Sequence, residues 1–161
     1  MISLPLTHRL AVNAYLLYEE KFLLLKRANK PYIWGPPGGK LRIDEDPTHG
    51  LKREVLEETG LQIFVFQPVT TWFGSFNGVP LLSIDFLCRS EQNRVSLSHE
   101  HSDYRWLSID HLTRYENIYF SYDIGFKHSD YILAWRTHLM NNRKNSYPSE
   151  LERRGGSKPG K

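Results

Sequence analysis

The stretch Gly39-Lys40-Leu41-Arg42-Ile43-Asp44-Glu45, followed after seven residues by Arg53-Glu54-Val55-Leu56-Glu57-Glu58-Thr59-Gly60-Leu61, decides how the chain is read. Helix punctuation frames its second half. Asp46 suits an N-cap, Pro47 the first helical position and Gly60 the residue just past the C-terminus. On such a helix Glu54, Glu57 and Glu58 stand at i, i+3 and i+4, so all three project from one face. Three carboxylates on one patch repel one another, and nearby only Lys52 and Arg53 offset them. A hard divalent cation offsets them too, and oxygen ligands suit Mg²⁺ or Mn²⁺. Leu51 and Val55, four apart, supply the face that packs on a sheet. The preceding segment, Ala28 to Gly39, contains Pro31, Gly35, Pro36, Pro37, Gly38 and Gly39 and reads as a loop. Its glycines let backbone come close to a ligand. A carboxylate-held metal beside such a loop suits a substrate with phosphates.

Outward from this helix, Leu10–Tyr18 and Phe22–Leu25 are apolar runs separated by Glu19-Glu20-Lys21, the pattern of a β-hairpin with buried strands. Leu61–Gly74 is rich in β-branched and aromatic residues and reads as a strand interrupted at Pro68. Leu81–Cys88 and Tyr104–Leu107 are further strands, and Ser108–Leu112 is a short capped helical turn. A last helix is expected from about Asp123 to Met140. Its residues Ile124, His128, Tyr131, Ile132, Trp135 and Leu139 recur at helical spacing and read as a core-facing stripe.

Composition narrows the function. The chain has 161 residues, enough for one domain, with 40% hydrophobic residues and therefore a real core. No run reaches the roughly 18 apolar residues that would cross a bilayer. One cysteine, Cys88, excludes a disulfide framework and a multi-cysteine zinc site. The N-terminal residues lack the order of a secretory signal, so a soluble, cytoplasmic protein is the expectation. The net charge of +3 is misleading, because residues 141–161 alone carry +4 and the body carries −1. That segment reads as a basic flexible tail. A nucleic-acid groove would show its basic residues within the fold, so no specific nucleic-acid partner is expected.

The spacing from Gly39 to Leu61 resembles the Nudix box, Gly-x5-Glu-x7-Arg-Glu-U-x-Glu-Glu-x-Gly-U, with U a bulky aliphatic residue. Gly39, Glu45, Arg53, Glu54, Val55, Glu57, Glu58, Gly60 and Leu61 fill every defined position. The resemblance implies an α/β fold, an α/β/α sandwich with a mixed curved sheet, spanning residues 1–140 ahead of the tail. It implies hydrolysis of the pyrophosphate linkage of a nucleoside diphosphate joined to another moiety, with Mg²⁺ or Mn²⁺. By position, Glu54, Glu57 and Glu58 are the expected metal carboxylates, joined by the Gly39 carbonyl. Arg53 would orient Glu54 or a neighbour, and Glu45 would fix the geometry between loop and helix. Glu57 is the first choice for the general base. Glu100, in a segment resembling a common downstream Nudix pattern, is the candidate outside the box and a further metal ligand. His99 and His101 read as loop groups rather than ligands, because the metal prefers oxygen.

Substrate contacts are expected from Arg27 at a strand end, from Gly38, Gly39 and Lys40, and from aromatic residues that could stack a base. Trp34 leads these, with Tyr32, Trp72, Phe73 and Phe76 as others. Gly50 falls inside the helix where Ala is frequent in the family, at a cost of about 1 kcal/mol in propensity. Pro36-Pro37 stiffens the loop. Two other readings compete with hydrolysis. One is a nucleotide-metabolite-binding module of the same fold without turnover. The other is isomerase chemistry on an isoprenoid diphosphate, which would require a reactive cysteine, and Cys88 in an apolar strand is a poor one. A small-molecule nucleotide is the expected partner. Dimers are common among such proteins, and a homodimer is compatible with the sequence without being demanded by it.

Overall fold

The computed structural model describes residues 6–154 apart from positions 77 and 122. Strand β1 (Arg9–Tyr18) and strand β2 (Lys21–Arg27) form the expected hairpin. Glu19 and Glu20 turn it with φ of 44° and 65°, the left-handed pair that a two-residue turn requires to match strand twist. The segment expected to be loop contains two short strands, β3 (Trp34–Gly35) and β4 (Gly38–Lys40), paired to β2 and β1. Such short pieces of ladder form because neighbouring strands offer free backbone groups, which no local periodicity reveals.

Helix α1 (Pro47–Thr59) has the anticipated ends. Asp46 Oδ1 accepts the His49 N–H at 3.0 Å, and Gly60, at φ 74°, donates its N–H to the Leu56 carbonyl. Strand β5 (Ile63–Phe76) is continuous rather than broken at Pro68. Its register against β6 (Val79–Ser90) slips on both sides of that proline, between Val65 and Gln67 and between Pro68 and Thr70. The two irregularities absorb the missing N–H without ending the strand. Strand β7 (His101–Ser108) follows, then α2 (Ile109–Arg114) with Ser108 as its side-chain cap, and a short α3 (Glu116–Tyr119) that sequence reading did not predict.

The last helix, α4 (His128–Arg154), starts five residues later than expected and continues past Met140. Residues 141–154, expected to begin a flexible tail, are its extension; residues 155–161 lie outside the described residues. Of the anticipated stripe, Tyr131 is fully buried and Trp135 packs beside it, while Ile124 and Leu139 are exposed. Ala134, not anticipated, is fully buried.

The sheet is mixed, with the order β3-β2-β1-β6-β5, β4 also on β1 and β7 also on β2. Strands β1 and β6 run parallel, with Asn13 beside Asp85 and Tyr15 beside Leu87. Alternation along β1 divides the core. Val12, Ala14 and Leu16 meet Leu51 and Val55 of α1 on one face. Tyr15 and Leu17 meet Leu112, Tyr119, Tyr131 and Ala134 of α2, α3 and α4 on the other. Cys88 is sealed in the first of these cores, where burial pushes its thiol up and leaves it unreactive. No helix among the described residues is long and apolar enough to cross a membrane.

Candidate active site

The site is built where α1, β4 and the loop before β7 meet. Strand β4 pairs with β1 through Val12–Gly39 and Asn13–Gly38, which brings the two glycines against α1. Gly38 donates its N–H to Glu58 Oε2 at 3.0 Å. A methyl group on Gly39 would collide with the Glu54 carboxylate, so only glycine allows this approach. Gly50 has the same explanation. A methyl there would strike Leu41 and the Glu45 carboxylate, so the helix accepts the propensity cost to seat the preceding loop.

Arg53 is the hub. Its Nε and Nη2 donate to the two oxygens of Glu45 at 2.6 and 2.8 Å, and its Nη1 donates to Glu54 at 2.8 Å and to Glu57 at 3.3 Å. A planar guanidinium gripping one carboxylate in bidentate fashion presents its remaining N–H in a fixed direction. Hydrogen bonding from Arg53, with the Arg42 N–H, holds the Glu45 carboxyl down at about 2. Glu45 and Arg53 thus lock the loop to the helix and aim at Glu54. Glu57 is half exposed and also faces Arg42 at 3.6 Å.

The loop before β7 is pinned along the end of α1, with the Ser96 N–H on the Thr59 carbonyl and the Ser98 N–H on the Glu58 carbonyl. The Glu100 carbonyl accepts the Ala28 N–H. These bonds bring Glu100 and His101 to Glu58, with ligand atoms of all three within 4.8 Å of one another. Burial pushes the Glu58 carboxyl up to about 8. The Gly38 N–H opposes that shift, and the charges of Glu54, Glu100 and Glu57 add to it. Burial also raises the Glu54 carboxyl, against the pull of Arg53.

A divalent cation fits this donor set. Clustered carboxylates have few hydrogen-bond donors of their own, and His101 Nδ1 is buried without a partner beside them. Burial depresses the His101 pKa, which favours the neutral imidazole that can act as a ligand.

Sequence reading set His101 aside as a loop group; the structure brings its ring beside Glu58 and Glu100, because its approach depends on how the loop is tethered. Arg27 lies at the end of β2 opposite His101, with its Nε buried and unpartnered. Lys40 stands on β4 and lends its carbonyl to Arg53 at 3.4 Å. Trp34 is not the stacking surface it was expected to be. It is 8% exposed, edge-on to Tyr119, with the Arg105 guanidinium 5.1 Å and the Lys26 amine 5.9 Å from its ring centre. Pairing β3 to β2 turns its ring into the core. Tyr32, Trp72 and Phe73 remain exposed. Gly60 lies at the far end of α1, outside the cluster. An open cleft of about 550 Å³ between α3 and α4, lined by Glu116, Phe120, His128 and Arg136 among others, shares no residue with the carboxylates.

The sequence matches the family model of the NUDIX domain over residues 7–124. The chain belongs to the NUDIX family. Among its relatives, a MutT-like protein of Streptomyces ambofaciens is 29% identical over 109 residues, 68% of this chain and 70% of that protein. An 8-oxo-dGTP diphosphatase of Buchnera aphidicola is 31% identical over 104 residues, 63% of this chain and 78% of that one. Among solved structures, the MutT protein from Methanosarcina mazei superposes with a TM-score of 0.68 at 27% identity, covering 84% of this chain and 99% of that one. A Caenorhabditis elegans Ap4A hydrolase superposes at 0.65 and 21% identity, covering 83% and 98%, a likeness of fold. The α/β/α Nudix sandwich is therefore the fold of this chain, and the chain is a Nudix pyrophosphohydrolase.

Proposed function

We propose that this Nudix enzyme is a divalent-metal-dependent hydrolase of a nucleotide, opening a phosphoanhydride bridge by attack of water on phosphorus. The observation that supports it best is the meeting of Glu58, Glu100 and His101 beside Glu54 and Gly39. Glu57, Glu58 and Glu100, with the Gly39 carbonyl, would hold Mg²⁺ or Mn²⁺. Such an ion, when bound, neutralises the diphosphate and acidifies water.

The chain's own groups do the rest. Glu54 takes the proton of the attacking water. Its carboxyl is raised toward the working pH, as a general base requires, and Arg53 fixes its direction while anchored on Glu45. Glu57, the first choice from sequence, is more exposed and answers to two arginines, which suits an outer ligand better. The Gly38-Gly39 backbone allows phosphate oxygens to come close. Arg27, whose Nε lacks a partner, and Lys40 supply cations for those oxygens. The names of the relatives favour a nucleoside triphosphate over a sugar nucleotide as substrate. Residues 1–140 form the catalytic unit in this reading.

The test is turnover of deoxynucleoside triphosphates, oxidised dGTP, ADP-ribose and nucleotide sugars with Mg²⁺, by wild type and Glu54→Gln. We expect at least one compound to be hydrolysed and Glu54→Gln to lose roughly 100-fold or more of kcat. Absence of any turnover refutes the reading; equal activity of the variant refutes the role of Glu54.

A further inference from the structure

The layer across the sheet from α1 holds a concavity of its own, the cleft of about 550 Å³ between α3 and α4, a volume in the range of small-molecule sites. Helix α4 presents two faces. Tyr131 and Ala134 are buried against the sheet, with Trp135 packed beside them. Ser129, Ile132, Leu133 and Arg136 stand at i, i+3, i+4 and i+7, a single stripe, and line the cleft instead. A helix face of that spacing, with two aliphatic residues at its centre, ordinarily packs on a neighbour. Here Leu133 stays 43% exposed.

The opposite wall is held in place. The Phe120 ring lies 5.6 Å from that of His128 and 5.5 Å from that of Tyr131. Thr113 Oγ1 gives its one proton to the Ile109 carbonyl at 2.9 Å, so it accepts from His128 Nε2 at 2.9 Å. On its other side His128 Nδ1 lies 3.8 Å from Glu116 Oε2, so the acidic residue of the lining already has a neighbour. Asp130, in the first turn of α4, accepts the Lys127 N–H at 3.1 Å, and its charge acts on Asp85 and Tyr131 in the core. Lys127 and Arg136 also line the cleft. Among the described residues neither side chain has an ion pair or a hydrogen bond. They stand nine positions apart, about 13 Å along a helix axis. An apolar strip of Phe120, Ile132 and Leu133 thus runs between two unclaimed positive charges.

We infer that the cleft between α3 and α4 is a second binding site, for a small amphipathic anion with an aliphatic body and one carboxylate or phosphate head. The body lies on Phe120, Ile132 and Leu133 and takes their apolar area out of water. The head pairs with Arg136, whose planar fork matches carboxylate or phosphate oxygens two at a time, and Lys127 adds a point charge from the other end. A neutral apolar molecule leaves both cations unanswered. A bare anion leaves the strip wet. The cleft shares no residue with the carboxylate cluster, so the inference stands apart from nucleotide hydrolysis.

The experiment follows backbone-amide NMR shifts of the full chain during titration with octanoate, octyl phosphate, 1-octanol and inorganic phosphate. We expect octanoate or octyl phosphate to saturate, with the largest shifts at Phe120, Ser129, Leu133 and Arg136, and to bind roughly 10-fold or more tightly than octanol or phosphate. The tighter of the two names the head group. Lys127→Glu combined with Arg136→Glu should weaken that binding about 10-fold or more, because each exchange turns an attraction into a repulsion. Leu133→Asp should weaken it as well, with circular dichroism unchanged. Should the double variant fail to fold, Arg136→Gln, at an exposed position, decides the matter with a loss of roughly 3-fold. Shifts that never saturate or that scatter away from the cleft would overturn the inference. So would octanol or phosphate binding as tightly as the amphiphiles, or an affinity unchanged in the folded variants. The readout needs no nucleotide, so absence of turnover sinks only the hydrolase reading, and absence of binding sinks only this one.

Discussion

Replacing Glu58 with Gln tests the electrostatics of the cluster directly. The Glu58 carboxyl titrates near 8 in the metal-free fold, against an ordinary value of 4.5. The folded protein therefore holds a proton that the unfolded chain releases between those two values. Stability must fall as pH rises through that window, because the unfolded state binds fewer protons there. Gln carries no charge and keeps an oxygen to accept the Gly38 N–H, so it should escape the penalty. A shift of that size is worth on the order of 4 kcal/mol at the top of the window, a large share of a typical domain's stability. Urea unfolding in EDTA measures it. At about pH 5 the two proteins should nearly coincide; at about pH 8 Glu58→Gln should unfold roughly 1–2 M urea later. Saturating Mg²⁺ should then raise wild type and leave the variant little changed, since the ion supplies the charge that Glu58 lacks. A difference between the two proteins that does not grow with pH would refute the reasoning. So would a variant less stable than wild type at the upper end.

Other perturbations address separate parts of the site. Arg53→Lys keeps the charge but cannot grip Glu45 with two N–H groups while holding Glu54, so kcat should fall roughly 10-fold or more with the fold intact by circular dichroism. Gly39→Ala places a methyl against the Glu54 carboxylate, and both activity and the Mg²⁺-induced rise in Tm should drop sharply. Gly60→Ala meets only ordinary packing, with Ser96 Cβ at 3.7 Å, so its cost is the left-handed φ alone. Denaturant titration should find about 1 kcal/mol of destabilisation with turnover preserved.

The helix of the active site could be read from the chain because everything that defines it is local. The Asp46 cap, Pro47, Gly60 and the i, i+3, i+4 placement of Glu54, Glu57 and Glu58 lie within a few turns of one another. The same stretch marked Arg53 and Glu45 as positioning residues, whereas their bidentate bond to each other appears only in the structure. The hairpin was equally legible, since two apolar runs around Glu19-Glu20-Lys21 suffice to announce it, although Lys21 proves to belong to β2. Other features depended on register between distant strands. Trp34 is buried because β3 joins β2, and nothing in the loop's own composition announces that bond. His101 reaches Glu58 because backbone bonds at Ser96 and Ser98 tie its loop to α1. Asn13 and Asp85 are 72 residues apart and become neighbours through the parallel pairing of β1 and β6. Their polar character within apolar strands was the available signal, but it could not say that they share a face.

Sequence alone determined the family, the acidic helix and the chemistry it can support, because short-range spacing and capping are enforced by backbone geometry over a single helix. Tertiary structure decided which carboxylate is aimed by Arg53, which histidine joins the cluster, which aromatic ring stays accessible and where α4 ends. Those outcomes are set by the packing of elements far apart in the chain; for a strand residue such as Trp34, a one-residue change in register would turn the side chain to the opposite face.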